Sequence, residues 1–92
     1  PRPIALVALL ACLTLAPARA RADVVDETFA RGNQAAAAGD YRGAVQHYEE
    51  AERLLPGRSA ALSFNLGTAH AQLGELGRAT YHLRRALQPQ AE

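Results

Sequence analysis

The chain has 92 residues, with ten arginines, no lysine, nine acidic residues and a formal charge of +1. From Asp23 onward seven arginines face nine acidic side chains, a net charge of −2. That argues against nucleic-acid binding, which needs clustered positive charge to displace counterions. The single cysteine, Cys12, lies in an apolar N-terminal stretch, so residues 23–92 have no disulfide, cysteine zinc site or thiol nucleophile.

Residues 1–22 read as an export signal. Arg2 precedes a 13-residue apolar run, Ile4 to Ala16, and Pro17 breaks it. Two small-x-small sites follow, Ala18-Arg19-Ala20 and Ala20-Arg21-Ala22, and cleavage after Ala22 is preferred over cleavage after Ala20. Because roughly 20 apolar residues are needed to span a bilayer, the run is short for an anchor. Two other readings stay open: an uncleaved N-terminal anchor, and a lipoprotein signal at Leu9-Leu10-Ala11-Cys12. Pro1 stands where Met would begin a chain, which leaves open a start further upstream.

Sliding the sequence against itself by 35 residues aligns Phe29–Leu54 with Phe64–Pro89, with seven of 26 positions identical. The identical pairs are Phe29/Phe64, Gly32/Gly67, Ala36/Ala71, Gly39/Gly74, Ala44/Ala79, His47/His82 and Ala51/Ala86. Each unit reads as two helices. Asp23 is expected to cap the first helix, with Asp26 three places on, and Gly39 to end it near Ala38 in a left-handed conformation. Asp40 caps a second helix striped by Tyr41, Ala44, Val45, Tyr48, Ala51 and Leu55, which Pro56-Gly57 stops. Ser59 caps a third, striped by Leu62, Leu66, Ala69 and Leu73 and ended by Gly74. Leu76, Ala79, Leu83, Ala86 and Leu87 stripe the fourth, and Pro89 stops it. Small residues would let paired helices approach closely, and Tyr48 and Leu83 would fill the space between hairpins. Glu49 and Arg53 are spaced for an exposed ion pair.

At these positions the sequence resembles the tetratricopeptide repeat (TPR). The first unit supplies Gly32, Gly39-Asp40-Tyr41, Ala44, Tyr48, Ala51 and Pro56; the second supplies Asn65-Leu66-Gly67, Gly74-Glu75-Leu76, Ala79, Leu83 and Ala86. The resemblance implies an all-α fold of two helix-turn-helix hairpins, a fragment of an α-solenoid, preceded by the signal helix: residues 1–22, then units 23–58 and 59–92. The extra residue over the usual period falls in Gly57-Arg58-Ser59, and Pro89 comes two positions early relative to Pro56. The stretch Asn65 to Ala79 is also similar to the exported TPR family associated with the Bacteroides aerotolerance operon. That similarity implies downstream membrane helices and sometimes an SH3-like domain, and two repeats by themselves leave an apolar face after the fourth helix. Such a face would need further units, a capping helix, or a second copy joined through Ala79, Leu83 and Leu87.

In TPR arrays the first helices line a groove that takes an extended peptide or a partner's helix. By resemblance the groove positions are Phe29, Asn33, Ala36, Ala37, Phe64, Asn65, Thr68, Ala71 and Gln72. Asn33 and Asn65 stand where carboxylate-binding members place asparagines, but Phe29 occupies the place of a basic residue, so a carboxylate clamp is not expected. Asn65 reads as a helix-to-helix hydrogen-bond residue. Phe29 and Phe64 are either peptide anchors or plugs in the seam. His47, His70 and His82 show no i, i+4 pair and no His-Glu-x-x-His motif, so they read as solvent-facing polar residues without a metal. Arg84-Arg85 reads as local stabilisation of a helix C-terminus. Nucleophile elbow, phosphate loop and dinucleotide fingerprint are all missing, so neither catalysis nor a cofactor is expected. The reading is an exported bacterial scaffold for a protein partner, periplasmic or membrane-associated. The alternatives are a non-catalytic appendage of a larger envelope enzyme, or a TPR lipoprotein of envelope assembly.

Overall fold

The structure is a computed structural model that describes residues 17–56 and 59–88. The described residues are helical throughout, with no strand among them: α1 (Ala18–Ala37), α2 (Tyr41–Leu54), α3 (Ala60–Gln72) and α4 (Leu76–Leu87). The apolar run Ile4–Ala16 with Cys12, the loop residues Gly57 and Arg58, and Pro89 lie outside the described residues. Among the described residues no helix is long and apolar enough to cross a membrane.

α1 starts earlier than its expected cap. Pro17 sits at the N-cap, and the helix runs unbroken through Ala22 and Asp23, so Asp23 caps nothing. The alternating alanines and arginines of Ala18–Ala22 are strong helix formers, and proline is tolerated at a helix start because its missing N–H has no partner to lose. The other caps form as the sequence implies. Asp40 Oδ1 accepts from the Gly43 N–H at 2.9 Å, and Ser59 Oγ accepts from the Leu62 N–H at 3.0 Å.

The chain turns twice in the same way. Gly39 and Gly74 have φ of +80° and +77°, a region that favours glycine. The Asp40 N–H then reaches back to Ala35 O at 2.8 Å, and the Glu75 N–H to His70 O at 2.9 Å. These bonds consume carbonyls that a helix end otherwise leaves unpaired.

α1 packs on α2, α2 on α3, and α3 on α4. Inside each hairpin a glycine receives a large side chain from the second helix. A Cβ on Gly32 would collide with the Tyr48 ring, and one on Gly67 would lie 2.8 Å from Leu83 Cγ. Leu83 therefore fills space within its own hairpin and not between hairpins as expected, whereas Tyr48 both covers Gly32 and fills the core shared with α3. The core joining the hairpins is Val25, Val45, Ala44, Ala51, Leu62, Leu66 and Ala69 around Tyr48. Leu62 and Leu66 are each 1% exposed, and burying one contributes about 1.5–3 kcal/mol. Glu27 and Arg31 pair on α1 at 3.0 Å, whereas Glu49 and Arg53 are not among the ion pairs of the described residues.

Candidate functional site

α1 and α3 lie on one side of the molecule with α2 behind them, and a depression of about 240 Å³ opens between them. Asn33 and Ala36 from α1 form one wall, and Phe64, Asn65 and Thr68 from α3 form the other. Tyr41, Tyr48 and Ala69 complete the lining, so among the described residues no charged side chain borders it.

Hydrogen bonds tie this surface together across the two hairpins. The Tyr48 hydroxyl donates to Asn33 Oδ1 at 2.6 Å, and Asn65 Nδ2 donates to the same oxygen at 3.1 Å. One carbonyl oxygen thus accepts from both hairpins, which is its full capacity. Among the described residues, the Nδ2 of Asn33 and the Oδ1 of Asn65 make no further hydrogen bond. Burial raises the Tyr48 phenol above its ordinary 10.0, and the neighbouring Asn65 amide offsets part of that rise. Tyr48 is therefore a neutral donor throughout the physiological range. Thr68 spends its hydroxyl proton on Phe64 O at 2.8 Å. Phe64 itself stands 56% exposed at the lip.

Of the residues marked by resemblance, Asn33, Ala36, Phe64, Asn65 and Thr68 come together here. Phe29 does not. It packs against Tyr48 with ring centroids 5.7 Å apart and borders a separate opening with Val25, Leu55 and Leu62. Ala37, Ala71 and Gln72 are exposed outside the depression. Tyr41, Tyr48 and Ala69 line it without having been assigned to it, because side chains from the second helix and from the inner stripe of α3 reach through the helix gap.

A second polar cluster corrects the view of the histidines as solvent-facing. His70 is 1% exposed on α3, and its Nδ1 lies 2.9 Å from Glu75 Oε1. An ionised carboxylate only accepts, so Nδ1 carries the proton. Nε2 of His70 is buried with no hydrogen-bond partner. The His82 ring stacks on His70, nearly parallel at 5° with centroids 5.4 Å apart, and Tyr81 meets His82 edge-on at 4.9 Å. Arg85 reaches across to Glu52 on α2 at 3.0 Å and sits 5.6 Å above the Tyr81 ring, a wider role than stabilising its own helix end. The hydrogen bond from His70, helped by the nearness of that imidazole and of the Arg78 and Arg42 cations, holds the Glu75 carboxyl below its ordinary 4.5 against the opposing effect of burial. Burial, aided by His70 and Arg85, holds His82 below 6.5 against the opposing pull of Glu52 and Glu49. The sequence did hold a signal for this burial. His70 falls four residues after Leu66 and three before Leu73, on the same apolar stripe.

The apolar face expected on α4 also differs. Ala79 is buried and Leu83 half-buried, whereas Leu76, Tyr81 and Leu87 are exposed. Among the described residues no group of three or more histidine, cysteine and acidic side chains is placed to hold a metal ion. Comparison with protein-family models, curated protein sequences and solved structures finds no match to this chain.

Proposed function

We propose that this chain is an exported tetratricopeptide-repeat scaffold that holds an uncharged, extended segment of a partner protein between α1 and α3. The observation that carries the reading is the asparagine pair in the depression. Asn33 is fixed by Tyr48 and Asn65, and leaves an N–H donor beside the carbonyl acceptor of Asn65. A donor and an acceptor side by side match one peptide unit of a main chain, and an exposed aromatic ring at the lip suits an apolar side chain of the same segment. The lining has no charge, so affinity would come from apolar contact and neutral hydrogen bonds. Supporting the repeat reading, both hairpins place a glycine under a large side chain and turn through a left-handed glycine in one 35-residue frame.

The test is binding of a fluorescent library of uncharged peptides to the full chain. Phe64→Ala is expected to weaken the bound peptides by about 1 kcal/mol or more, while Leu87→Ala, on the α4 surface, leaves them unchanged. Equal binding by both variants would remove the depression as the site. Recovery of the protein from the periplasm with Asp23 at its N-terminus tests the export part; a cytoplasmic chain retaining Arg2 contradicts it.

A further inference from the structure

The histidine stack lies outside the proposed peptide site and joins α3 to α4. α4 buries the fewest residues of the described helices: Ala79 is its one buried residue, against Ala44, Val45, Tyr48 and Ala51 on α2. Three further attachments join it to its neighbours: Leu83 on Gly67, His82 on His70, and Arg85 on Glu52. Two of those three involve charge or a group that becomes charged near neutral pH.

We propose that the His70–His82 stack is an acid-sensitive clasp, whose protonation releases α4 from α3 while the α1–α2 hairpin stays folded. The geometry sets the sign. His70 commits its Nδ1 to Glu75, and its Nε2 is buried with no hydrogen-bond partner, so it offers the His82 ring no acceptor. A proton on His82 puts a cation against the His70 ring at 5.4 Å and near Arg85. Charging a half-buried ring beside another cation is disfavoured.

Charged and titratable groups meet this stack from every packed element. α2 contributes Glu49 and Glu52, which favour protonation of His82, and Arg42 near Glu75. Glu52 is engaged by Arg85 at 3.0 Å. α3 contributes His70, the turn contributes Glu75, and α4 contributes Arg78, Tyr81 and Arg85. The balance leaves His82 below its ordinary 6.5 when docked. The undocked helix therefore binds more protons, and docking is favoured above 6.5 and lost as pH falls through the docked value. Glu75 remains ionised through this window because its carboxyl is held below 4.5.

Amide hydrogen exchange on the full chain, corrected for intrinsic rates, tests this at about pH 7.5 and about pH 5. Protection in α4 is expected to drop several-fold on acidification while protection in α2 is retained. His82→Gln is expected to abolish the drop, and His47→Gln, at the equivalent place in the first hairpin, to leave it intact. Joint loss in α2 and α4, or an unchanged drop in His82→Gln, overturns the proposal. If His82→Gln does not fold, the imidazole titration of His82 in the unaltered chain decides. A midpoint below 6.5 coinciding with the loss of α4 protection supports the clasp; a midpoint at or above 6.5 overturns it.

Discussion

α1 and α3 occupy the same place in the 35-residue frame, yet their outer faces differ. Where α3 carries Leu62 and Leu66, each 1% exposed, α1 carries Glu27 and Arg31, paired at 3.0 Å and largely in water. Positions facing inward within each hairpin agree: Thr28 and Ser63 are both buried, as are Ala44 and Ala79. The repeat thus dictates the contacts inside a hairpin, and the neighbouring helix dictates the rest. α2 lies against Leu62 and Leu66, while the corresponding face of α1 meets solvent. The same logic applies to the second helices. Val45 on α2 is buried against α3, and its counterpart on α4, Thr80, is exposed and bonds back to Leu76 O at 2.8 Å.

Substitutions at equivalent positions can break this comparison. The largest difference is expected between Leu66→Ala and Arg31→Ala. The first leaves a cavity in the core and should cost about 2–5 kcal/mol in denaturant unfolding. The second removes an exposed ion pair and should cost no more than about 0.5 kcal/mol. Comparable losses would mean that α1 packs as α3 does.

The paired glycines come next. Gly32→Ala drives a methyl into the ring of Tyr48, which is 2% exposed and tethered to Asn33, so a loss of about 1–3 kcal/mol is expected. Gly67→Ala meets Leu83, a half-buried chain that can change rotamer, although Ala79 O lies 3.1 Å from the added carbon. It should cost less than Gly32→Ala, because Leu83 can yield where the tethered Tyr48 ring cannot, the gain in helix propensity being common to both. A larger loss at Gly67 would show that the Ala79 carbonyl, not the side chain, controls that crossing.

The two turns sharpen the comparison with smaller effects. Asp40→Ala removes a helix cap and should lower the melting temperature through a loss of about 1 kcal/mol. Glu75 occupies the same turn position but makes no cap bond, binding His70 instead. Its contribution is present above the ordinary 4.5 and is lost as pH falls through its lowered docked value. Glu75→Gln is therefore expected to flatten the stability curve below about pH 4.5. Melting curves recorded between neutral and acidic pH test this.

Much of this arrangement is legible in the sequence because it is local. Gly39 and Gly74 mark the turns, Asp40 and Ser59 announce their helices, and apolar residues at three- and four-residue steps outline the stripes. The start of α1 is less legible: the small-residue pattern of Ala18–Ala22 suits a cleavage site and a helix equally. Long-range features are hidden. Asn33 and Asn65 are 32 residues apart, outside the 35-residue frame, and meet because α1 and α3 lie side by side. His70 replaces Ala35 of the first hairpin, and only the fold shows that His82, equivalent to His47, stacks upon it. Phe29, identical in type to Phe64, turns inward onto Tyr48 while Phe64 stays at the lip.

The partner site depends on the free amide groups of Asn33 and Asn65, and their side-chain NH2 resonances report on it directly. In a nuclear magnetic resonance titration of the full chain with a bound uncharged peptide, both are expected to shift together with Phe64, while Glu27 and Leu87 stay in place. Shifts confined to the α4 surface, with the two asparagine amides unmoved at saturation, would contradict the account.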